Sequence, residues 1–477
     1  MATQLMLEPP EGGRGEGGGS LESASEMRTP RPVPRESLGA LVLALAVPFL
    51  FVGEDHVGTY SLDVGSTTID FGQSDAAVVV ILLAALVAGA RAGAARLNPA
   101  RILWVPGIAL VLWLAFETFR PVSIDDAQFD DHLASYAKFV AYALLAIAVP
   151  LLVRRAQDLP LVVASFVLWS LVASGVALAQ FFGADVFDAW PPGWRQPSFL
   201  GHHDLAALSG IAVGVAVAGI LCTRRRIPAP MLFALALAAG AVGLVLAGSI
   251  AAVAGFAVGV LLVTFAARSR FAPTGMRVLG VVVLLAVVLV GVSAIRADAL
   301  QPVGELTGLG EDRAPPDAQT YSEQSVLVYV GLRIFRDNPI LGVGWQRSGR
   351  AEVFERYVAD ARQRFPDEPD EAFPAPEREL GVQSLYVQML ADAGVIGLAL
   401  LLGVGLGGLV LGWRTAAYAS SPWAAGAGLA VMCALLTVAG EWAVVGIVPG
   451  IPLDAATCLL LGLAAAGAAT VEEETGG

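Results

Sequence analysis

Long apolar segments follow one another along most of the chain, with short polar connections between them. An apolar run of about 18 or more residues is long enough to cross the hydrocarbon core of a bilayer. Because lipid offers no hydrogen-bond partners to the backbone, each run is predicted to be a helix. The sequence therefore predicts an all-α, polytopic integral membrane protein with about 12 transmembrane helices. The predicted spans lie near residues 37–53, 74–92, 102–118, 136–153, 160–182, 204–222, 229–248, 249–267, 276–294, 384–411, 422–441 and 451–470.

One long polar stretch, residues 295–383, interrupts this pattern between the ninth and tenth predicted spans. It separates predicted transmembrane helices 1–9, over residues 37–294, from helices 10–12, over residues 384–470. Residues 1–36 are rich in Gly and Pro and cannot form a core, so they are predicted to be a disordered tail. Residues 471–477 are predicted to be a short C-terminal tail.

Two short helices are predicted inside the polar stretch. Residues 321–338 have helical periodicity that stops at Pro339, and Gly342 and Gly344 then indicate a tight turn. Residues 351–365 have a second helical pattern, with apolar side chains on one face and charged side chains elsewhere. Such a face is typical of a helix that lies on a membrane or caps a cavity.

Arginine residues indicate the orientation of the spans. If the spans alternate in direction, most arginines of the short connections fall on one side, and the other side keeps only Arg120 and Arg195. By the positive-inside rule the arginine-rich side is cytoplasmic. We therefore expect a multi-pass protein of the plasma (inner) membrane with both termini cytoplasmic and residues 295–383 external.

Composition supports a membrane protein and argues against a soluble domain or a nucleic-acid-binding protein. Hydrophobic residues make up 56% and charged residues 15% of the chain, whereas a soluble domain usually has about 25% charged residues. The net charge of −13 argues against nucleic-acid binding. Cys222, Cys433 and Cys458 fall in or beside predicted spans, so we interpret them as small apolar side chains rather than a disulfide or metal set.

The first candidate site combines Arg195 with His202 and His203, on a predicted external loop rich in Trp and Pro. A guanidinium group at a membrane surface suits a lipid phosphate or diphosphate, because it forms paired, charge-assisted hydrogen bonds. A neighbouring imidazole could take a proton from an attacking hydroxyl near neutral pH. Alternatively, Arg195 reaches lipid headgroups and the two histidines cap the span that begins at Asp204.

The second candidate is a pair of arginines in the large loop. Arg333 and Arg336 are three residues apart and share one helical face, from which they could bind anionic groups. The glycine turn that follows would let the backbone approach a ligand. Alternatively, the two arginines form a solvated basic face that pairs with Glu323 or Asp337.

The third candidate lies where the loop returns to the membrane. Gln383, Ser384, Tyr386 and Gln388 could hydrogen-bond a polar ligand at the interface, or they could simply begin an ordinary span.

Two acidic residues near the predicted external ends of their spans are also notable. A carboxylate at the depth of Glu117 or Glu441 is costly and often functional, although either could reach the surface. No glycine-rich phosphate loop, nucleophile elbow or zinc-helix motif is found in the chain.

Three segments of the chain share motifs with one family of polytopic membrane proteins. The family's characteristic helix end is similar to residues 338–344, which read Asn-Pro-Ile-Leu-Gly-Val-Gly. A second family string is similar to residues 383–397, which read Gln-Ser-Leu-Tyr-Val-Gln-Met-Leu-Ala-Asp-Ala-Gly-Val-Ile-Gly. The third similarity involves Arg195, Phe199, Gly201, His202, His203, Asp204 and Ala206. Together with twelve predicted spans and a large loop after the ninth, these segments resemble the O-antigen ligase/polymerase family.

The resemblance implies transfer of a glycan from a polyprenyl-diphosphate carrier to an acceptor hydroxyl at the external membrane face. The acceptor would be another glycan or a glycolipid, membrane lipids would surround the site, and neither a cofactor nor a metal would be needed. Arginines would hold the diphosphate and stabilise the departing charge, and His202 or His203 would act as the catalytic base. The substrate-binding residues implied are Arg195, Arg333, Arg336, Arg347, Gln383, Ser384 and Tyr386.

The chain departs from the family pattern at informative positions. Ligases typically carry a histidine at the position of Gln383, and an amide cannot act as a base. An arginine usual near the start of the loop helix is also missing from residues 322–325. These departures favour a polymerase or a divergent transferase over a ligase. A membrane transporter, such as the proposed bicarbonate transporters that resemble this family, and a non-catalytic assembly partner are the alternatives.

Overall fold

A computed structural model describes residues 37–52, 60–64, 67–120, 129–222, 230–296, 318–376, 378 and 380–476. The predicted disordered tail, residues 1–36, and the first part of the large loop, residues 297–317, lie outside the described residues.

The described chain is built almost entirely of α-helices, which confirms the prediction of an all-α polytopic membrane protein. The first nine are α1 (Ser37–Leu50), α2 (Gln73–Ala92), α3 (Arg101–Phe119), α4 (Phe129–Leu152), α5 (Leu159–Phe181), α6 (His202–Cys222), α7 (Pro230–Ala247), α8 (Ile250–Phe271) and α9 (Gly275–Ile295). The others are α10 (Ala318–Asp337), α11 (Ala351–Arg364), α12 (Leu385–Tyr418), α13 (Pro422–Glu441) and α14 (Pro452–Gly476). Short 3-10 turns cover Ala95–Ala100 and Asp370–Ala372.

Among the described helices, 11 rather than 12 are long and apolar enough to cross a membrane. The difference is α1, which has 14 residues. At 1.5 Å per residue it is about 21 Å long, shorter than a hydrocarbon core of about 30 Å. A second difference is a small hairpin in the predicted first external loop, where β1 (Tyr60–Val64) pairs antiparallel with β2 (Thr67–Phe71).

Helices α6, α13 and α14 form the centre of the bundle. In their apolar segments 94%, 67% and 89% of residues are buried, against 22–44% in the other membrane-spanning helices. Small residues allow these central helices to touch their neighbours closely. A Cβ atom on Gly440 of α13 would lie 2.1 Å from the carbonyl oxygen of Ala251 in α8, so the two backbones are in contact.

The segment between α9 and α12 has a small core of its own. Val326, Val330 and Ile334 of α10 pack against Phe354 and Ala361 of α11. The apolar face of α11 therefore faces protein, and not the membrane surface that the sequence pattern also allowed.

The two strings that carry the family resemblance form one structural unit. Residues 338–344 lie against the first part of α12, where Gly344 N donates a hydrogen bond of 2.8 Å to Asp392 O. Gly342 has φ +74, and a Cβ on it would lie 2.3 Å from the Asp392 backbone. Gly394 has φ 67 and ψ −169, which breaks α12, and a Cβ on it would lie 2.0 Å from Ile340 O. Gly342 and Gly394 are therefore needed for this backbone contact.

Glu117, one of the two notable acidic residues, supports this same unit. Its carboxylate is fully buried and accepts a hydrogen bond of 2.6 Å from Arg120, which also donates one of 3.0 Å to Gly342 O. Arg120, held by Glu117, thus links the end of α3 to the glycine turn.

Candidate functional site

A cavity of about 660 Å³ lies where one end of the helix bundle meets the residues before α12. The first residue of α6, the residue before α8, the residue after α9 and the segment after α13 all line it. The polar side chains on its wall include Arg195, His202, His203, Arg296, Gln383 and Gln388. The structure thus brings together predicted residues from two separate candidate sites.

The connection between α5 and α6 is a fixed loop that holds Arg195 in place. Gln196 accepts a hydrogen bond of 3.0 Å from Trp190 N, and its own backbone N–H donates one of 2.8 Å to Leu246 O. Gln180 is fully buried and accepts a hydrogen bond of 2.8 Å from Ser198 N. Arg195 is only 8% exposed, and its guanidinium carbon lies 4.5 Å from the Trp190 ring centre. Arg195 therefore faces the cavity from within the protein.

A second buried arginine shares this wall. Arg296 follows the last residue of α9, is 5% exposed, and donates a hydrogen bond of 3.2 Å to Gly248 O. Gly248 lies close to both arginines. A Cβ on it would lie 2.9 Å from Cβ of Arg195 and 3.3 Å from Cγ of Arg296. The cavity wall therefore carries two neighbouring cationic side chains that suit a phosphate or diphosphate.

Sequence reasoning missed Arg296. The residue falls in the long polar stretch, whose arginines carry no information about orientation. Its position immediately after a predicted span, on the same predicted side as Arg195, is the signal that could have identified it.

The two histidines lie next to the arginines. His202 begins α6, and its ring centre lies 3.9 Å from that of His203 and 5.1 Å from that of Trp190. His203 is partly exposed to the cavity, and its Nδ1 lies 2.6 Å from Oε2 of Glu441. Glu441, the last residue of α13, is fully buried. This places an imidazole, a carboxylate and two guanidinium groups at one site.

Neutral amide side chains form another part of the wall. Gln388 accepts a hydrogen bond of 2.6 Å from Ile447 N, and Gln346 donates one of 2.8 Å to Ile447 O. These two glutamines hold the segment that follows α13, and Gln383 lines the cavity beside them. Amides both donate and accept, so they suit the hydroxyl groups of a sugar.

Ser384 and Tyr386, two other predicted substrate-binding residues, do not line the cavity. Ser384 is buried immediately before α12, and the hydroxyl of Tyr386 donates a hydrogen bond of 2.7 Å to Ala439 O. In this structure both side chains contribute to packing around the start of α12.

Three predicted arginines do not line the cavity. Arg333 of α10 forms an ion pair of 2.8 Å with Asp360 of α11, and Arg347 forms one of 3.2 Å with Glu352. Arg336 is exposed on α10. The structure does not bring these three side chains together with Arg195.

Asp360 also accepts a hydrogen bond of 2.8 Å from Tyr329, which raises the pKa of that tyrosine above its usual range.

Within the described part of the chain, no three His, Cys, Asp or Glu side chains come together as a possible metal site. Metal-independent chemistry stays a prediction.

Comparison with known proteins gives one family match. A model described as O-antigen ligase matches residues 235–402, from α7 into α12. This range contains Arg296, Gln383 and both glycine strings, whereas Arg195, the two histidines and Glu441 lie outside it. No curated protein gives a significant match to the chain.

Proposed function

We propose that this protein transfers a glycan from a polyprenyl-diphosphate carrier to an acceptor hydroxyl, because residues 235–402 match a family model described as O-antigen ligase. At a coarser level, the family supports an O-antigen ligase-like role in surface polysaccharide assembly. The observation that carries the finer proposal is the pairing of Arg195 and Arg296 on the wall of a cavity that also holds His202 and His203.

The two arginines would bind the carrier's diphosphate. Planar guanidinium groups form paired hydrogen bonds with phosphate oxygens, and burial strengthens these charge-assisted contacts. Negative charge grows on the diphosphate as its bond to the sugar breaks. Cationic donors already fixed at that point stabilise the transition state more than the ground state, which is what accelerates the reaction.

The chemical step is a displacement at the anomeric carbon. The acceptor oxygen forms a bond to that carbon while the bond to the diphosphate oxygen breaks, and the electron pair leaves with the diphosphate. An imidazole of the His202–His203 pair takes the hydroxyl proton and later returns it to solvent. The products are the glycosylated acceptor and the polyprenyl diphosphate.

The glutamines would hold the acceptor. Gln383 and Gln346 provide neutral donors and acceptors on the cavity wall, which suit sugar hydroxyls, whereas Gln388 is held by Ile447 and Asp392. A ligase acceptor would be a lipid-borne glycan core, and a polymerase acceptor would be another glycan of the same kind. Both reactions fit this arrangement, and they differ only in what enters the cavity.

We place this reaction at the external face of the plasma (inner) membrane, with both chain termini in the cytoplasm. The support is the distribution of arginines. α8 begins at the cavity and ends in a segment with Arg268 and Arg270, so the cavity and the arginine-rich connections lie at opposite ends of the same helix.

Deletion of the gene tests the proposal. Loss of the transferase should cause lipid-linked glycan to accumulate, and mass spectrometry of extracted lipids would show it. Accumulated glycan of single-repeat length indicates a polymerase, and longer glycan indicates a ligase. If the protein is a transporter or a non-catalytic assembly partner, its deletion should not cause lipid-linked glycan to accumulate. That result would contradict the proposal.

Substitution of the two arginines tests the site. Arg195→Ala and Arg296→Ala should each reduce transfer by about 100- to 1,000-fold in the complemented deletion strain, because each removes one stabilising cation. Arg362→Ala is the matched control, since Arg362 lies on α11 and pairs with Asp370 away from the cavity. If both cavity variants are present in the membrane at normal abundance and transfer glycan normally, Arg195 and Arg296 do not form the diphosphate site.

A further inference from the structure

We infer that Glu441 is a positioning residue for His203, and that this pair makes His203, rather than His202, the base that accepts the acceptor's proton. The inference rests on the proposed function and deepens it. Glu441 comes from α13 and His203 from α6, so the pair joins two central helices outside the matched range.

The geometry of the pair fixes the state of the imidazole. Oε2 of Glu441 lies 2.6 Å from Nδ1 of His203, a short distance typical of a charge-assisted hydrogen bond. A carboxylate there keeps the proton on Nδ1, which leaves the lone pair of Nε2 available. A histidine whose other nitrogen is held in this way is oriented and ready to accept a proton.

Burial explains why a carboxylate at this position matters. Glu441 is fully buried, and its Oε1 has no hydrogen-bond partner among the described residues. An isolated charge at membrane depth is costly, so the contact with His203 is the main compensation that the described residues provide. When His203 gains the acceptor's proton, the imidazolium forms an ion pair with Glu441 in low-dielectric surroundings, which stabilises that state.

His202 lacks such an arrangement. Its ring packs between Trp190 and His203, and no carboxylate among the described residues hydrogen-bonds it. The neighbouring Asp204 accepts a hydrogen bond of 2.8 Å from Leu453 N at the start of α14, so its carboxylate is directed elsewhere.

The pair also gives a physical account of Gln383. An amide at the start of α12 cannot accept a proton from a hydroxyl, yet Gln383 lines the same cavity as His203. The structure assigns the proton transfer to α6 and leaves the start of α12 to bind the acceptor.

Purified full-length variants, assayed on the lipid-linked glycan isolated from the deletion strain, test this assignment. Glu441→Gln preserves shape but cannot neutralise an imidazolium, so kcat should fall by about 100-fold while KM for the donor stays within about twofold. Glu441→Asp should restore part of kcat. A merely structural role would not separate kcat from KM in this way.

Combining variants tests whether the two residues act together. His203→Ala should reduce kcat more than His202→Ala does, and the double variant His203→Ala/Glu441→Gln should be no slower than His203→Ala alone. Asp360→Asn is the matched control, because Asp360 also pairs with a cation but lies away from the cavity. Its kcat should equal that of the wild type.

Several results would overturn the assignment. They are a wild-type kcat in Glu441→Gln, additive losses in the double variant, or a larger loss in His202→Ala than in His203→Ala. If the wild-type protein itself fails to consume the lipid-linked glycan, the proposed function falls as well. If the wild-type protein transfers glycan and the Glu441 variants have the same kcat, only the assignment of His203 as the base is rejected.

Discussion

Gly248 decides how the two buried arginines meet. It lies between α7 and α8 with φ +62, and the side chains of Arg195 and Arg296 both approach the position that a Cβ atom would occupy. These arginines are about a hundred residues apart in sequence, and neither lies in a recognisable phosphate-binding motif. Their proximity depends on one position that has no side chain.

Replacing that glycine should therefore damage the site more than the fold. In Gly248→Ala the new Cβ would lie 2.9 Å from Cβ of Arg195, so at least one arginine must move. We expect transfer to fall by at least about tenfold, because a misplaced cation no longer meets the developing charge. Complementation of the deletion strain, normalised to membrane abundance, measures this.

Gly93→Ala separates this effect from backbone strain. Gly93 has a similar φ of +78, but no atom lies within 4 Å of the Cβ that would be added. With ψ 168, Gly93 lies in a region that is essentially confined to glycine, so Gly93→Ala carries backbone strain of about 1–3 kcal/mol without a new steric contact. Equal transfer activity in the two variants would contradict the role given to Gly248.

Among the structural elements, the apolar pattern of the sequence predicts most helices. This is because a helix that crosses the bilayer must be apolar over the thickness of the hydrocarbon core. The helices of the large loop were also predicted, and α11 begins and nearly ends at the expected residues, Ala351 and Phe365. The partner of its apolar face was not predictable, since a periodic pattern shows that a face is covered but not by what. The break at Gly394 and the pairing of Arg333 with Asp360 likewise depend on contacts between distant segments.

The contact between the glycine turn and α12 should be sensitive to a single methyl group. In Gly342→Ala the new Cβ would lie 2.3 Å from the Asp392 backbone, which cannot move away easily. We expect the free energy of unfolding to fall by about 1–3 kcal/mol or more, as for an overpacked core. Thermal unfolding of the purified protein in detergent measures the loss.

Gly405→Ala is the control for that substitution. Gly405 lies in α12, and no atom lies within 4 Å of its added Cβ, so stability should be unchanged or slightly higher. A Gly342→Ala protein that unfolds at the same temperature as Gly405→Ala would show that the turn tolerates a side chain.

Over the whole molecule, the candidate site combines the ends of helices that are distant in sequence. The sequence predicted Arg195, His202, His203 and Gln383 as candidates from their position near predicted span ends, and all four line one cavity. It could not predict which of the loop's many arginines would join them, because several charged side chains have similar local surroundings. Arg296 is distinguished by the three-dimensional position of α9, beside α7, rather than by its neighbours in the chain.

The proposed orientation makes a prediction for the intact cell. The cavity and α11 should face outward, whereas the connection between α12 and α13 should face the cytoplasm. A membrane-impermeant maleimide should therefore label Gln363→Cys on α11 in intact cells, and should label Ser420→Cys only after permeabilisation. Both positions are exposed, and the native Cys222 and Cys433 are buried while Cys458 is half-buried, so the wild-type protein should label weakly. Labelling of Ser420→Cys in intact cells, with Gln363→Cys protected, would reverse the orientation and place the cavity out of reach of an external acceptor.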